Sequence, residues 1–227
     1  MINLAQFHDS HNNKTQFGQA GVLQKIFETI GTTNKYFVEF GSEGTSTGQG
    51  NSYSLRHLGF DGLLMDAGVY NNEFPVQSHF ITAENINELF EKYNVPNIFD
   101  FLSIDMDGND FYIWQILNAK YRPRVLSIES NPHYPSNCDA VPPCQPQYRW
   151  QGEYSVGCSA LAIYNLCQTK DYFLVAHCGV DSIYLSKEVV TEFSDWTNLN
   201  NFSAICTHTL YDPRNPPSNY LTSKDII

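Results

Sequence analysis

One short stretch of this chain is unusually rich in acidic residues. Asp105, Asp107 and Asp110 lie within six residues, directly after the apolar run 99–104. Carboxylates this close repel one another, and a cation or a positive ligand group would relieve the repulsion. Asp110 can alternatively be the cap of a helix that begins at Phe111. Asp105 ends an apolar segment, and we therefore interpret it as a functional residue.

A second group of polar residues follows the next apolar run. Glu129, Asn131 and His133 alternate along the chain there. If the two runs form neighbouring strands, Asp105 and Glu129 lie side by side, and oxygen ligands of this kind suit Mg²⁺. We therefore predict a metal site of Asp105, Glu129 and Asn131, with His133 or Asp107 as a general base. The alternative is that Glu129 accepts hydrogen bonds from loop amides or pairs with a nearby arginine.

A third constellation precedes both of these. The apolar run 36–40 contains Glu39 and leads into a loop with Gly41 and Gly44, and a second apolar run ends at Asp66. A doubly wound sheet binds a nucleoside with elements in this order: a strand, a glycine loop, a helix, and a second strand that ends in an acid. The glycine spacing does not fit the dinucleotide fingerprint. The acid inside the first strand favours S-adenosylmethionine (SAM), which has a cationic amino-acid end, although an ordinary turn is the alternative.

These residues are positioned by alternating strands and helices. Five strand–helix alternations and a closing hairpin predict an α/β fold, namely a doubly wound, mostly parallel, seven-stranded sheet with an antiparallel C-terminal edge hairpin. Ligands bind outside the carboxyl ends of the strands in such a sheet. The predicted strands are 36–40, 62–65, 79–82, 99–104, 124–128, 172–177 and 182–185.

The predicted domain spans residues 18–194. It follows a loose lead-in, residues 1–17, and precedes a polar tail, residues 195–227, with three prolines. We expect the tail to be an extended arm that lies over the surface or onto a neighbouring subunit, where it would support a homo-oligomer. Residues 130–156 form a proline-rich loop, and a loop this long in a compact domain is usually functional or mobile.

Composition narrows the classes of partner. The formal net charge is −11, from 24 acidic residues against 13 Lys and Arg. A nucleic-acid partner is not expected, because such binding depends on clustered Lys and Arg. No apolar run reaches the roughly 18 residues of a membrane span, and the N-terminal residues do not read as a signal peptide. We therefore expect a cytoplasmic protein whose six cysteines are reduced.

Together these motifs resemble the FkbM-like SAM-dependent methyltransferases. The resemblance runs from about residue 16 to residue 185, and its main motifs are Val38-Glu-Phe-Gly41, Gly50-Asn-Ser-Tyr53, Gly62-Leu-Leu-Met-Asp66, Phe101-Leu-Ser-Ile-Asp-Met-Asp-Gly-Asn-Asp110, Pro123-Arg-Val-Leu-Ser-Ile-Glu-Ser-Asn-Pro132 and Gly157-Cys-Ser-Ala-Leu161. It implies a Rossmann-like class I methyltransferase fold, SAM as methyl donor, and an oxygen acceptor on a sugar or related small molecule.

The resemblance carries SAM contacts onto Glu39, Gly41 and Asp66. By analogy to the fold, Asn85 lies near the adenine. The remaining candidates for cofactor binding are Ser42, Gly44 and Asp105.

The chain also departs from the family pattern. Its glycine loop is longer than the compact family form, and Asp181 stands where an asparagine is expected. Two other functions stay open. One is a metal-dependent glycosyltransferase that uses Asp105-Met106-Asp107 as an Asp-x-Asp motif, and the other is a non-catalytic binding protein on the same fold.

Overall fold

A computed structural model describes residues 1–8, 15, 17–41, 50–68, 74–193, 195–207 and 210–227. In this part of the chain, seven strands form one mixed sheet with helices on both faces. The architecture confirms the predicted α/β, Rossmann-like fold class.

The strands follow the order β3-β2-β1-β4-β5-β7-β6 across the sheet. The first five are parallel, and β7 lies antiparallel between β5 and β6. The predicted antiparallel hairpin at the C-terminal edge is therefore confirmed. The strands are β1 Tyr36–Phe40, β2 Asp61–Asp66, β3 Val76–Ser78, β4 Ile98–Ile104, β5 Arg122–Glu129, β6 Tyr172–Cys178 and β7 Asp181–Ser186.

The helices enclose the sheet between two apolar layers. Side chains of α1, α2 and α6 pack in one layer, and side chains of α3, α4 and α5 pack in the other. The helices are α1 Gln19–Ile30, α2 Tyr53–Arg56, α3 Ile86–Lys92, α4 Asp110–Ile116, α5 Ala160–Thr169, α6 Lys187–Glu192 and α7 Phe202–Ile205. None of the helices in the described ranges is long and apolar enough to cross a membrane.

The third strand differs from its prediction. We expected residues 79–82, whereas β3 is Val76–Ser78, a short strand at the edge of the sheet. The amide of Thr82 instead donates a hydrogen bond to the side-chain oxygen of Asn85, which belongs to the turn before α3. Ile81 is buried in the core without being in a strand, so its apolar character was not a strand signal.

The C-terminal tail lies on its own chain, which is the first of the two arrangements that we expected. The described part of residues 195–227 is not extended throughout, since it contains α7 and a 3₁₀ helix at Ser223–Asp225. Trp196 is buried in the apolar layer that contains α1, Leu221 bridges to Val141, and Ser223 donates two hydrogen bonds to Asp139. The tail is therefore folded over the domain.

Candidate functional site

The sheet places four acids together at one edge. Pairing of β4 with β5, and of Glu129 with Asp181 across β5 and β7, puts Asp105, Glu129 and Asp181 in one row. Because side chains alternate along a strand, Glu39 and this row share the α1-facing side of the sheet. The adjacency predicted for Asp105 and Glu129 is thus confirmed.

Asp105, Asp107 and Glu129 form the tightest acidic group. One carboxylate oxygen from each lies within 4.8 Å of the others. Burial in the crevice raises the pKa of Asp105 and of Glu129 well above the ordinary range. Repulsion by Asp181 adds to the rise at Asp105, and repulsion by Asp105 adds to the rise at Glu129. The group therefore favours protons, or a cation that stands in for them.

The carboxylate of Glu39 is hydrogen-bonded to the residues just before α2. Its carboxylate accepts hydrogen bonds from the amide of Asn51 (2.6 Å) and from the amide (3.2 Å) and hydroxyl of Ser52. Burial still raises its pKa. Glu39 lines the cavity, and its oxygens also hold the backbone at Asn51 and Ser52, so its role as a SAM contact stays a prediction.

Asp181 lies beside the other acids, although from the sequence it stood out only as a departure from the family pattern and not as a site residue. It is 2% exposed, and one of its oxygens accepts hydrogen bonds from Gln19 (2.5 Å) and Asn51 (3.4 Å). The other oxygen has no well-aligned partner among the described residues, although the Ser127 hydroxyl is close. Burial raises the pKa of Asp181, so a neutral side chain would suit this position better.

Asp110 does not cap α4 as one interpretation expected. The capping position is Asn109, and Asp110 is the first residue of the helix. Its buried carboxylate reaches back to the amides of Met106 (2.8 Å) and Gly108 (3.1 Å). Burial raises the pKa of Asp110 to about 7. Asp110 thereby holds the loop that carries Asp107, whose backbone has a φ of 50°.

A cavity of about 560 Å³ opens above the acids. This volume is in the usual range of small-molecule sites. Its floor contains Glu39, Asp105, Asp107 and Glu129, and no Lys or Arg belongs to the described lining. Five ring-bearing residues of the lining, which we call the aromatic wall, are Phe17, His133, Trp150, Tyr154 and Tyr211; Glu153 also belongs to the lining. An acidic floor beneath aromatic rings suits a cationic or polyhydroxylated ligand and disfavours an anionic one.

Asn131 and His133 belong to the long loop after β5. The Asn131 amide nitrogen donates to the carbonyls of Tyr154 (2.8 Å) and Val156 (2.6 Å), and its oxygen accepts from the His133 amide (2.8 Å). Asn131 therefore organises the loop, and its role as a metal ligand stays a prediction. His133 is half-buried in the cavity wall.

The other predicted cofactor residues lie at the ends of β1, β2 and the turn before α3. Asp66 is half-buried and accepts a hydrogen bond from the amide of Gly68 at 2.6 Å. Asn85 donates to the carbonyl of Phe80 in addition to holding Thr82. Neither belongs to the described lining of the cavity, whereas Gly41 does. Ser42 and Gly44 lie outside the described residues.

Gly41 sits where two strand ends meet. Its amide donates to the carbonyl of Met65, and its φ is 68°. A Cβ at this position would lie 1.5 Å from the carbonyl oxygen of Asp105. Only glycine allows this approach of β1 to β4.

Comparison with known proteins adds no family to this picture. No protein-family model matches the chain, and no curated protein matches it either. Any function assigned to the crevice therefore rests on its residues and their geometry.

Proposed function

We propose that this protein is a SAM-dependent methyltransferase that transfers a methyl group to an oxygen of a small polar acceptor such as a saccharide. The observation that carries the proposal is the acid-floored, aromatic-walled cavity at the carboxyl edge of β1, β4 and β5. SAM is cationic at both its sulfonium and its ammonium groups, so buried carboxylates favour it over an anionic nucleotide.

The sheet supports the same assignment. Its strand order, with β7 between β5 and β6, agrees with the class I methyltransferase fold that the sequence resemblance implies. Gly41 follows β1 and Asp66 ends β2, so both lie at the carboxyl ends of the strands, where a doubly wound sheet binds its ligand. Glu39, Gly41 and Asp66 would hold the donor at that edge. The wall residues that belong to the loop after β5, namely His133, Trp150 and Tyr154, would face the acceptor.

A divalent cation fits the same crevice. Three hard oxygen donors converge in Asp105, Asp107 and Glu129, and Mg²⁺ takes carboxylates together with water. When bound, the ion would lower the pKa of an acceptor hydroxyl. Asp105 and Glu129 would hold the ion, and His133 or Asp107 would accept the proton. Without the ion, the raised pKa values of Asp105 and Glu129 favour the protonated carboxyls.

Ligand-dependent melting tests the proposal. Specific binding to the folded state raises the melting temperature, so S-adenosylhomocysteine should shift it, whereas NAD should leave it unchanged. A shift by a uridine diphosphate sugar with Mn²⁺, and none by S-adenosylhomocysteine, would favour the glycosyltransferase instead. Binding of S-adenosylhomocysteine without turnover of any acceptor would favour the non-catalytic protein.

Chelation tests whether the acidic group of Asp105, Asp107 and Glu129 works with a bound cation or without one. If the cation is required, EDTA abolishes methyl transfer and Mg²⁺ restores it. Glu129→Gln should then weaken Mg²⁺ binding, while Glu91→Gln, in an exposed ion pair with Lys120, should not. Full activity in EDTA would show that methyl transfer needs no cation, and that Asp105 and Glu129 act in the protonated form or as contacts to SAM.

We also propose a cytoplasmic location, no nucleic-acid partner, and a homo-oligomer in which the tail takes part. The support is the acidic composition and the exposed large side chains of the tail, such as Tyr211 and Leu221. Light scattering of the full chain, compared with a chain that ends at residue 207, tests the role of the tail in assembly.

A further inference from the structure

The C-terminal tail crosses the loop that forms the cavity wall. The amide of Arg214 donates to the carbonyl of His133 at 2.9 Å. Further along, the hydroxyl of Tyr220 donates to the carbonyl of Ser155 at 2.7 Å. These bonds tie the tail to both ends of the segment 133–155, which also contacts the domain where the side chain of Asn109 donates to the carbonyl of Gln145.

Within this crossing, the tail encloses the ring of His133. Tyr211 stacks on the imidazole, with ring centroids 4.9 Å apart and planes inclined by 29°. Tyr154 meets the same ring edge-on at 5.3 Å. The guanidinium of Arg214 lies 4.3 Å from the centre of the Tyr154 ring, so a tail residue also contacts the second ring that packs on His133.

The tail also contacts a ring nitrogen of His133. Nδ1 lies 3.3 Å from the carbonyl oxygen of Asp212. A carbonyl oxygen accepts hydrogen bonds and cannot donate them, so Nδ1 must carry the hydrogen. In the neutral imidazole the lone pair then belongs to Nε2. Pro213 follows Asp212, and proline restricts the residue before it to extended backbone, which fixes the direction of this carbonyl.

We propose that the segment Leu210–Arg214 is a positioning element of the active site, which holds His133 as the Nδ1–H tautomer and leaves Nε2 as the proton acceptor. The inference rests on the proposed methyl transfer. Nε2 takes the proton of the acceptor hydroxyl as the oxygen–carbon bond forms. The carbon–sulfur bond of the donor breaks in the same step, and S-adenosylhomocysteine leaves.

Nitrogen NMR reads the tautomer directly and requires no acceptor. In the full chain labelled with ¹⁵N-histidine, at a pH where the ring is neutral, His133 should show a protonated Nδ1 and an unprotonated Nε2. His133→Gln identifies its signals among the seven histidines. Arg214→Pro removes the backbone donor to His133, and Tyr211→Ala removes the stacked ring. Either change should release the ring, so that the Nε2–H tautomer becomes populated.

Arg214→Ala keeps the backbone donor and removes only the guanidinium, so retention of the wild-type tautomer in this variant assigns the effect of Arg214→Pro to the backbone bond. Lys224→Ala changes an exposed side chain of the tail outside the segment and serves as the control that should retain the wild-type tautomer. A wild-type Nε2–H tautomer, or an Nδ1–H tautomer that persists in both Tyr211→Ala and Arg214→Pro, would overturn the inference. Binding of S-adenosylhomocysteine, measured on the same samples by calorimetry, confirms that each variant is folded and tests the proposed function separately.

Discussion

At the scale of single residues, the two ends of β2 offer a matched pair of aspartates. Asp66 is half-buried at the ligand edge, and Asp61 is exposed at the opposite edge. If Asp66 accepts hydrogen bonds from the ribose, Asp66→Ala should cost about 1.5–3 kcal/mol of binding, which is roughly tenfold to a hundredfold in affinity. Asp61→Ala should leave the affinity unchanged. Calorimetry with S-adenosylhomocysteine measures both, and equal affinities would remove Asp66 from the donor site.

Asp181 is a buried acid whose charge the fold accommodates poorly. Its pKa is raised by burial, so ionisation of its carboxyl destabilises the folded state, and this cost grows as the pH rises. Asp181→Asn should therefore raise the free energy of unfolding by about 1 kcal/mol at pH 8 and leave it nearly unchanged at pH 4. Urea denaturation at the two pH values gives the comparison. A loss of stability at pH 8 would show that the charge itself is used.

At the scale of elements, Gly41 sets the distance between the ends of β1 and β4. Gly41→Ala combines a positive φ with a collision against the carbonyl of Asp105, and should cost about 3 kcal/mol or more of stability. Gly152 also has a positive φ, 91°, but a Cβ there would contact nothing within 4 Å. Gly152→Ala should therefore cost only about 1–2 kcal/mol. Similar unfolding midpoints for the two variants would contradict the close approach of the strands.

At the scale of the whole molecule, the buried acids should make the folded state less stable as pH rises, whereas acids in ion pairs usually make it more stable. Between about pH 4 and about pH 7 the folded chain retains protons that the unfolded chain releases, because burial raises the pKa values of the acids at the sheet edge: Glu39, Asp105, Asp110, Glu129 and Asp181. Stability should therefore fall as pH rises through this window, by on the order of 3 kcal/mol. Chemical unfolding at pH 5 and pH 8 checks the sign, and saturating Mg²⁺ should reduce the difference if the cation binds. Stability that increases with pH would contradict the raised pKa values.

The sheet could be predicted because its strands are continuous apolar runs, and the acids at their ends marked the ligand edge. The adjacency of Asp105 and Glu129 followed from the order of two such runs. The edge strand β3 was misplaced because a short, partly exposed strand has no periodic pattern. The contact of Tyr211 with His133 joins residues far apart in the sequence, and no local signal could reveal it.

The insertion of β7 between β5 and β6 has a consequence for synthesis on the ribosome. The strand that completes β5 is the last of the seven to emerge, and β6, made earlier, pairs only with β7. Until residue 186 leaves the exit tunnel, β5 keeps an open edge, which is a template for wrong pairing. A nascent chain halted before Asp181 therefore exposes that edge and lacks one of the four acids that the sheet brings together.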